Sequence, residues 1–128
     1  MASILRYFRL TARSRRAYAV YVQGQSGPTL STSEFDTGKR DTSGNVIYGK
    51  LFNVANLPNA ATLNITHNVT FTRVWGLWGT ATNGTSHRPM PNPGANPIEL
   101  ACNATQIQIV TSTNFSTWSG FVVLEYVK

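Results

Sequence analysis

Residues 118–127, WSGFVVLEYV, are the stretch that most constrains the fold of this chain. A strand over these residues has large apolar side chains on both of its faces, because successive side chains alternate. One face carries Phe121, Val123 and Val127, and the other carries Val122, Leu124 and Tyr126. A strand of this kind needs cover on both faces, from a second layer of the same chain or from another subunit. If another subunit supplies it, the expected subunit interface is Val122, Leu124 and Tyr126.

The chain before this stretch consists of short β-rich runs separated by turn residues. The runs are NVIYGKLF (45–52), ATLNITH (61–67), VTFTRVWGLW (69–78), PIELAC (97–102) and TQIQIVT (105–111). Gly, Asn and Pro stand between them and favour turns. No helical pattern follows residue 33. The spacing therefore predicts an all-β fold, a small antiparallel β-sandwich of jelly-roll-like type, in residues 34–128. Residues 1–33 are predicted to be an N-terminal basic arm with a strand and a linker.

The apolar positions of these runs predict the core of the sandwich. The residues expected there are Val46, Ile47, Leu51, Ile65, Phe71, Val74, Ile98, Leu100, Ile107, Ile109, Phe121, Val123 and Val127. The clearest pattern is IQIV, in which Ile107 and Ile109 share one face of a strand.

Positive charge is concentrated in the first sixteen residues. They contain five of the eleven cations of the chain, namely Arg6, Arg9, Arg13, Arg15 and Arg16, and no carboxylate. The remaining residues have six cations and five anions, so the net charge of +6 divides into +5 for the arm and +1 for the body. A nearly neutral body does not favour nucleic acid as a partner. The spacing leaves open whether the arm is helical or extended.

Large apolar residues alternate with these arginines, namely Ile4, Leu5 and Phe8. Arginine pairs with carboxylates in a bidentate manner, and the apolar side chains would gain from burial. We therefore predict that Ile4, Leu5, Arg6, Phe8, Arg9, Arg13, Arg15 and Arg16 attach the chain to a larger protein. An Arg-rich, acid-poor N-terminus is also typical of a mitochondrial presequence, which remains an alternative. No stretch approaches the roughly 18 apolar residues that span a bilayer, so no membrane partner is expected.

Residues suited to catalysis or to metal binding are few. The only close pair of carboxylates is Glu34 and Asp36, and the two histidines, His67 and His87, have no neighbouring ligand residue. The single cysteine, Cys102, is expected to be a buried apolar residue. We therefore predict no enzymatic activity, no metal and no cofactor.

Exposed aromatic and amide side chains could bind a sugar. The segment VWGLWG (74–79) places two tryptophans three residues apart, which on a regular strand would face opposite ways. Trp78 precedes a polar loop, and tryptophan stacks well on sugars. Trp78, Asn83, His87 and Arg88 are therefore candidates for an exposed recognition surface.

The order of motifs in residues 38–128 resembles the small β-sandwich domains at the C-terminal ends of bacteriophage tail-fibre and head-decoration proteins. The matching pieces are GNVIYGKLFNVANLPN, LNITHNV, FTRVWGLWG, HRPMPN, IELACNATQIQIVTSTNFSTWSG and FVVLEYVK. The resemblance implies a non-enzymatic homotrimer on the surface of a virion. Turn residues 44–46 and Asn68 depart from the usual pattern, and a basic arm stands where a fibre shaft is expected.

These features lead to one expected function and one alternative. The expected function is that of a virion structural protein, a capsid decoration protein or a small tail or fibre component, attached through the arm to larger capsid or tail proteins. The alternative is a receptor-binding module for host surface glycans.

Overall fold

A computed structural model describes residues 29–128 of the chain. The eight predicted anchoring residues, between Ile4 and Arg16, lie outside the described residues. The described part contains eight strands and no helix. The strands are β1 (Phe35–Arg40), β2 (Val46–Val54), β3 (Thr62–Thr66), β4 (Arg73–Thr82), β5 (His87–Met90), β6 (Ile98–Cys102), β7 (Gln106–Thr111) and β8 (Ser119–Val127).

The strands form two antiparallel sheets that pack as a sandwich. The larger sheet has the order β1-β2-β8-β4-β5, and the smaller has the order β3-β7-β6. The last strand, β8, lies at the centre of the larger sheet and pairs with β2 on one side and β4 on the other. The prediction of an all-β fold with two antiparallel layers is confirmed.

One face of β8 lies against the smaller sheet. The side chains of Val122, Leu124 and Tyr126 are fully buried there, in one cluster with Ile107 and Ile109 of β7. The structure thus places the three expected interface residues in the core of a single chain rather than on its surface. The physical reason is that the three-stranded sheet already supplies the cover that this face requires.

Six of the thirteen predicted core residues are buried, and the others are half-buried. The buried ones are Ile47, Ile98, Ile107, Ile109, Val123 and Val127. Pattern reasoning missed further buried residues that lie at strand ends, in connections or on the second face of β8. These are Val54, Leu57, His67, Ala81, Met90, Phe115, Val122, Leu124 and Tyr126.

The turn that joins β1 to β2 is built by Asp41. Its carboxylate accepts hydrogen bonds from the backbone N–H groups of Ser43 and Asn45, both at 2.9 Å. Gly44 has a φ of 84°, a left-handed conformation that glycine adopts without steric cost. The hydrogen bonds from Asn45 and Ser43 hold the pKa of Asp41 below its usual value, against the effect of burial. Gly44 and Asn45 thus turn the chain from β1 into β2, as expected for Gly and Asn between β-rich runs.

Candidate functional site

The larger sheet has a second face, turned away from the smaller sheet, which we call the outer face. Its residues come from the three central strands, β2, β8 and β4, at the positions that alternate with the core positions. Seven of them are large and apolar or aromatic: Ile47, Leu51, Trp75, Trp78, Phe121, Val123 and Val127. The outer positions of a sheet that faces water are normally polar, so this composition is unusually apolar for an outer face.

Both tryptophans of β4 lie on the outer face. The register between β4 and β8 shifts between Val74 and Gly76, so that Trp75 and Gly76 together oppose Glu125. Such a β-bulge turns two successive side chains to the same side of the sheet. The expectation that Trp75 and Trp78 would face opposite ways is therefore wrong, because it assumed a regular strand.

The outer face has a buried part and an exposed margin. Ile47 and Val123 have no exposed surface. Trp75 and Trp78 are 44% and 38% exposed, the largest exposures of any large apolar side chain in the described residues apart from Leu30 at 45%. The fully buried side chains of the outer face thus lie on β2 and β8, and the most exposed ones lie on β4.

Aromatic contacts fix the positions of these side chains. The Trp78 ring meets the edge of Phe121 with centroids 5.8 Å apart, and the Arg73 guanidinium lies 5.6 Å from the centroid of Trp75. Phe35 of β1 lies over Gly49 of β2, where any side chain at position 49 would collide with its ring. The aromatic side chains of the outer face are therefore held in place by contacts with their neighbours on the sheet.

One ion pair lies within the outer face. Lys39 Nζ is 2.7 Å from Glu125 Oε1, and the Glu125 side chain is only 12% exposed. Glu125 is the partner of Gly49 across the β2–β8 pair, and Gly76 leaves space on its other side. The ion pair therefore gives Glu125 a partner where its carboxylate lies among apolar side chains.

The predicted recognition residues do not converge on one site. Trp78 lies in the middle of β4, whereas Asn83 lies in the β4–β5 turn, where its side-chain oxygen accepts from the N–H groups of Thr85 and Ser86. His87 is exposed at the start of β5. Asn83 and His87 thus lie at the β4–β5 turn, whereas Trp78 lies further along β4, opposite Val123 of β8.

Arg88, the fourth predicted recognition residue, is engaged within the chain. Its guanidinium lies 5.2 Å from the centroid of Phe115 and donates to the carbonyl of Ala95 at 2.8 Å. The contacts join β5 to two loops and hold the side chain half-buried. Its role in the described structure is to position the loop after β5.

A polar cluster lies at the end of β8, where the last residues of the chain meet the segment before β1. The Tyr126 hydroxyl donates a hydrogen bond to Glu34, and Lys128 Nζ lies 2.7 Å from the other oxygen of that carboxylate. Lys128 also lies 4.4 Å from the ring centroid of Tyr48, which stacks on Tyr126. The cluster joins the segment before β1 to the end of β8.

The charges of this cluster account for three shifted pKa values. Burial acts to raise the pKa of Glu34, but hydrogen bonds from Lys128 and Tyr126 outweigh it, so the pKa lies below its usual value. Burial raises the pKa of Tyr126, and the hydrogen bond to Glu34 raises it further. The same carboxylate raises the pKa of Lys128 through its hydrogen bond.

His67 is a buried structural residue that the sequence did not indicate. Its Nδ1 accepts from the N–H of Val69 at 3.1 Å, so its Nε2 carries the proton and donates to the carbonyl of Asn103 at 2.9 Å. Lys50 Nζ in turn donates to the His67 carbonyl at 2.9 Å. The imidazole ties β3 to the β6–β7 turn and is not presented to a ligand.

Within residues 29–128, no three His, Cys, Asp or Glu side chains are close enough together to hold a metal ion. Cys102 is half-buried, and burial raises the pKa of its thiol, which lowers its reactivity. The hollow beside His67, of about 260 Å³, is lined by Thr66, Asn68 and Thr105 among others and is open to solvent. The described part of the chain has no helix long and apolar enough to cross a membrane.

No family model, curated protein or solved structure matches this chain.

Proposed function

We propose that this chain is a non-enzymatic structural protein of a bacteriophage virion. It is a capsid decoration protein or a small tail or fibre component, and its N-terminal arm attaches it to a larger capsid or tail protein on the particle surface. The proposal rests chiefly on the resemblance of residues 38–128, in motif order, to virion-surface sandwich domains.

The motifs that carry this resemblance coincide with structural elements. GNVIYGKLFNVANLPN contains the whole of β2, and FVVLEYVK contains most of β8, the central strand of the larger sheet. HRPMPN contains β5, and the stretch from Ile98 contains β6 and β7. Motifs that coincide with strands support a shared architecture more strongly than motifs that lie in loops.

The distribution of charge supports attachment through the arm. The five arginines of residues 1–16 bring +5, whereas the other residues sum to +1. A carboxylate-rich surface on a capsid or tail protein is a suitable partner, since arginine binds carboxylates through two parallel hydrogen bonds. The arm would set the attachment site, and the sandwich would project from the particle.

We further propose that the functional unit is a homotrimer. Three arms on one trimer would bind three neighbouring sites, and linkage would raise the overall affinity by two to four orders of magnitude. Since Val122, Leu124 and Tyr126 lie in the core of one chain, the contact between subunits must use other residues.

Imaging of particles tests the function directly. Electron microscopy of virions from a phage that encodes this chain, with an antibody-gold label against residues 34–128, should place the label on the head or on the tail. Label restricted to material outside the particles would overturn the proposal, and an unlabelled deletion phage serves as the control.

A receptor-binding module for host glycans is the second candidate. Exposed Trp75 and Trp78 favour it, because indole rings stack on sugars. Against it, Asn83 and Arg88 are engaged in contacts within the chain. A glycan array is the test: binding that Trp78→Ala abolishes would support the receptor function.

A further inference from the structure

Three hollows that are open to solvent adjoin at one end of the sandwich, where β3 leads into β4 and β8 ends. The first, of about 260 Å³ beside His67, and the second, of about 370 Å³, share the wall formed by residues 68–70. The second and the third, of about 320 Å³, share Lys128. The three hollows therefore lie in a row, which we call the end groove, with the second hollow in the middle.

Aromatic rings lie side by side along the end groove. The ring centroids of His67 and Phe71 are 5.6 Å apart. Those of Phe71 and Tyr126 are 6.3 Å apart, and those of Tyr126 and Tyr48 are 6.1 Å apart. Phe71 is half-buried and lines the middle hollow, and Tyr48 is half-buried and lines the third. Because each ring packs on its neighbours, the groove has aromatic residues in fixed positions.

The middle hollow also contains a charged pair with unused hydrogen-bonding capacity. Lys128 Nζ lies 2.7 Å from Glu34 Oε1, and the two side chains are 53% and 36% exposed. The other oxygen of the carboxylate accepts a hydrogen bond from the Tyr126 hydroxyl. A carboxylate accepts up to about four hydrogen bonds and an ammonium group has three donors, so both groups can also bind a ligand. Asn68 and Thr70, which are exposed, line the same hollow.

These groups match the chemistry of a neutral sugar. A hydroxyl group both donates and accepts, so adjacent hydroxyls of a sugar can donate to Glu34 and accept from Lys128 while the ion pair stays intact. A ligand with a single charge would meet a like charge in this hollow, and a zwitterion would have to separate the pair. The apolar face of a sugar ring packs on an aromatic ring, which Phe71 supplies. The volume of the hollow, about 370 Å³, is within the range of about 300 to 1,000 Å³ that small-molecule sites have.

We propose that the end groove binds a neutral oligosaccharide. One sugar ring packs on Phe71 in the middle hollow, with its hydroxyls hydrogen-bonded to Glu34 and Lys128, and a neighbouring unit extends along the row to Tyr48. The inference goes beyond the proposed virion attachment and does not rest on it. It also differs from the predicted recognition surface, since Trp78 lies on the outer face of the larger sheet.

The end groove is expected to hold a glycan without cleaving it. Glu34 is the only acidic side chain among the described residues that line the three hollows. Glycoside hydrolysis generally uses two carboxylates that flank the scissile bond. A groove with one acidic side chain is therefore suited to binding rather than to hydrolysis.

Amide NMR spectra of the full chain test the proposal. The probes are the neutral oligosaccharides maltotriose, lactose and triacetylchitotriose, each titrated to tens of millimolar, because an open groove binds weakly. At least one of them should cause saturable shifts in the amide signals of residues 68–72 and 46–48. The amides of the β4–β5 turn, which is outside the groove, should not shift.

Two pairs of variants locate the bound sugar. Thr70→Trp places a large side chain in the middle hollow and should abolish the shifts, whereas Thr85→Trp, at an exposed position of the β4–β5 turn, should retain them. Glu34→Gln keeps an acceptor for Tyr126 but loses the charge, so it should weaken binding about tenfold. Asp36→Asn removes the same charge at an exposed position of β1 and should bind as the wild type does.

Three outcomes would overturn the proposal. The first is the absence of saturable shifts with all three oligosaccharides. The second is a set of saturable shifts that centres on Trp78 and leaves residues 68–72 unchanged. The third is equal binding by the Thr70→Trp and Thr85→Trp variants, a comparison that remains decisive if Glu34→Gln does not fold.

Discussion

The hydroxyl of Tyr126 donates a hydrogen bond to the carboxylate of Glu34, a residue 92 positions earlier in the chain. Tyr126 lies on the central strand of the larger sheet, and Glu34 immediately precedes the edge strand β1. A buried tyrosine hydroxyl needs a partner, and this one is supplied by the segment that leads from the N-terminal arm. The contact therefore fixes where the arm leaves the sandwich.

Glu34→Ala should lower the free energy of unfolding by about 1 to 2 kcal/mol at pH 7, since it leaves the Tyr126 hydroxyl without its acceptor. Because the folded-state pKa of Glu34 is depressed, its stabilisation is present above the usual value of 4.5 and is lost as the pH falls through the lower, folded pKa. Urea titrations from pH 7 to pH 3 should show the wild type approaching the variant at acid pH. Glu99→Ala, exposed on β6, should differ little from wild type throughout.

Val122→Asp should unfold the chain itself. The side chain has no exposed surface, and an unpaired buried carboxylate costs several kcal/mol, a large part of the stability of a domain of this size. Circular dichroism and proteolysis should show loss of the β structure, whereas Ala101→Asp on the exposed side of β6 should retain it. A Val122→Asp protein that is folded and monomeric would instead mean that this residue serves only a subunit contact.

Gly120→Ala should destabilise the central strand pair. A Cβ at position 120 would lie 2.0 Å from the backbone oxygen of Thr80, so β4 and β8 would have to separate. We expect a loss of about 1 to 3 kcal/mol, typical of overpacking in a rigid region. Gly94→Ala is the control, because its nearest atom is a side-chain oxygen of Asn92 at 3.3 Å. Thermal denaturation of the two variants measures the difference, and equal melting temperatures would contradict the prediction.

His67→Leu should cost about 2 kcal/mol, since the N–H of Val69 loses its acceptor and the carbonyl of Asn103 loses its donor. His87→Leu changes the same residue type at an exposed position of β5 and should be nearly neutral. Denaturant titrations of the two variants provide the comparison. If the His67 variant proved as stable as the His87 variant, the imidazole would not link β3 to the β6–β7 turn.

Local alternation was sufficient to predict the class of fold and part of the core. Ile107 and Ile109 alternate with glutamines and are fully buried, and the β-rich run predicted at residues 45–52 falls on the strand Val46–Val54. These features depend on residues that are close together in the sequence, so they can be predicted from the sequence alone.

Features that depend on pairing between distant strands could not be predicted in this way. Trp75 shares a face with Trp78 only because β4 gains an extra residue against β8, and no local pattern marks that bulge. Val122 is covered by residues of β7. The sequence pattern was equally compatible with cover from a second subunit. The importance of His67 rests on a carbonyl 36 residues away.

The arm is the part of the chain whose chemistry differs most from that of the sandwich. A body of net charge +1 does not need five arginines for its own stability, and Ile4, Leu5 and Phe8 are poorly suited to remain in water. Burial of these three side chains in a groove of a partner contributes about 25 cal/mol per Å², or several kcal/mol in all. The arginines would add orientation and a faster encounter with an acidic surface.

Deleting residues 2–16 should therefore leave a folded protein that no longer joins phage particles, because the whole sandwich is retained. Particles assembled with the truncated chain and purified by density gradient should lack it, as shown by gel staining and mass spectrometry. A variant with lysine at all five arginine positions keeps the charge but loses bidentate pairing, so it should bind particles more weakly than wild type. Incorporation of the truncated chain at wild-type occupancy would show that the sandwich holds the contact, since no arm would then remain to bind.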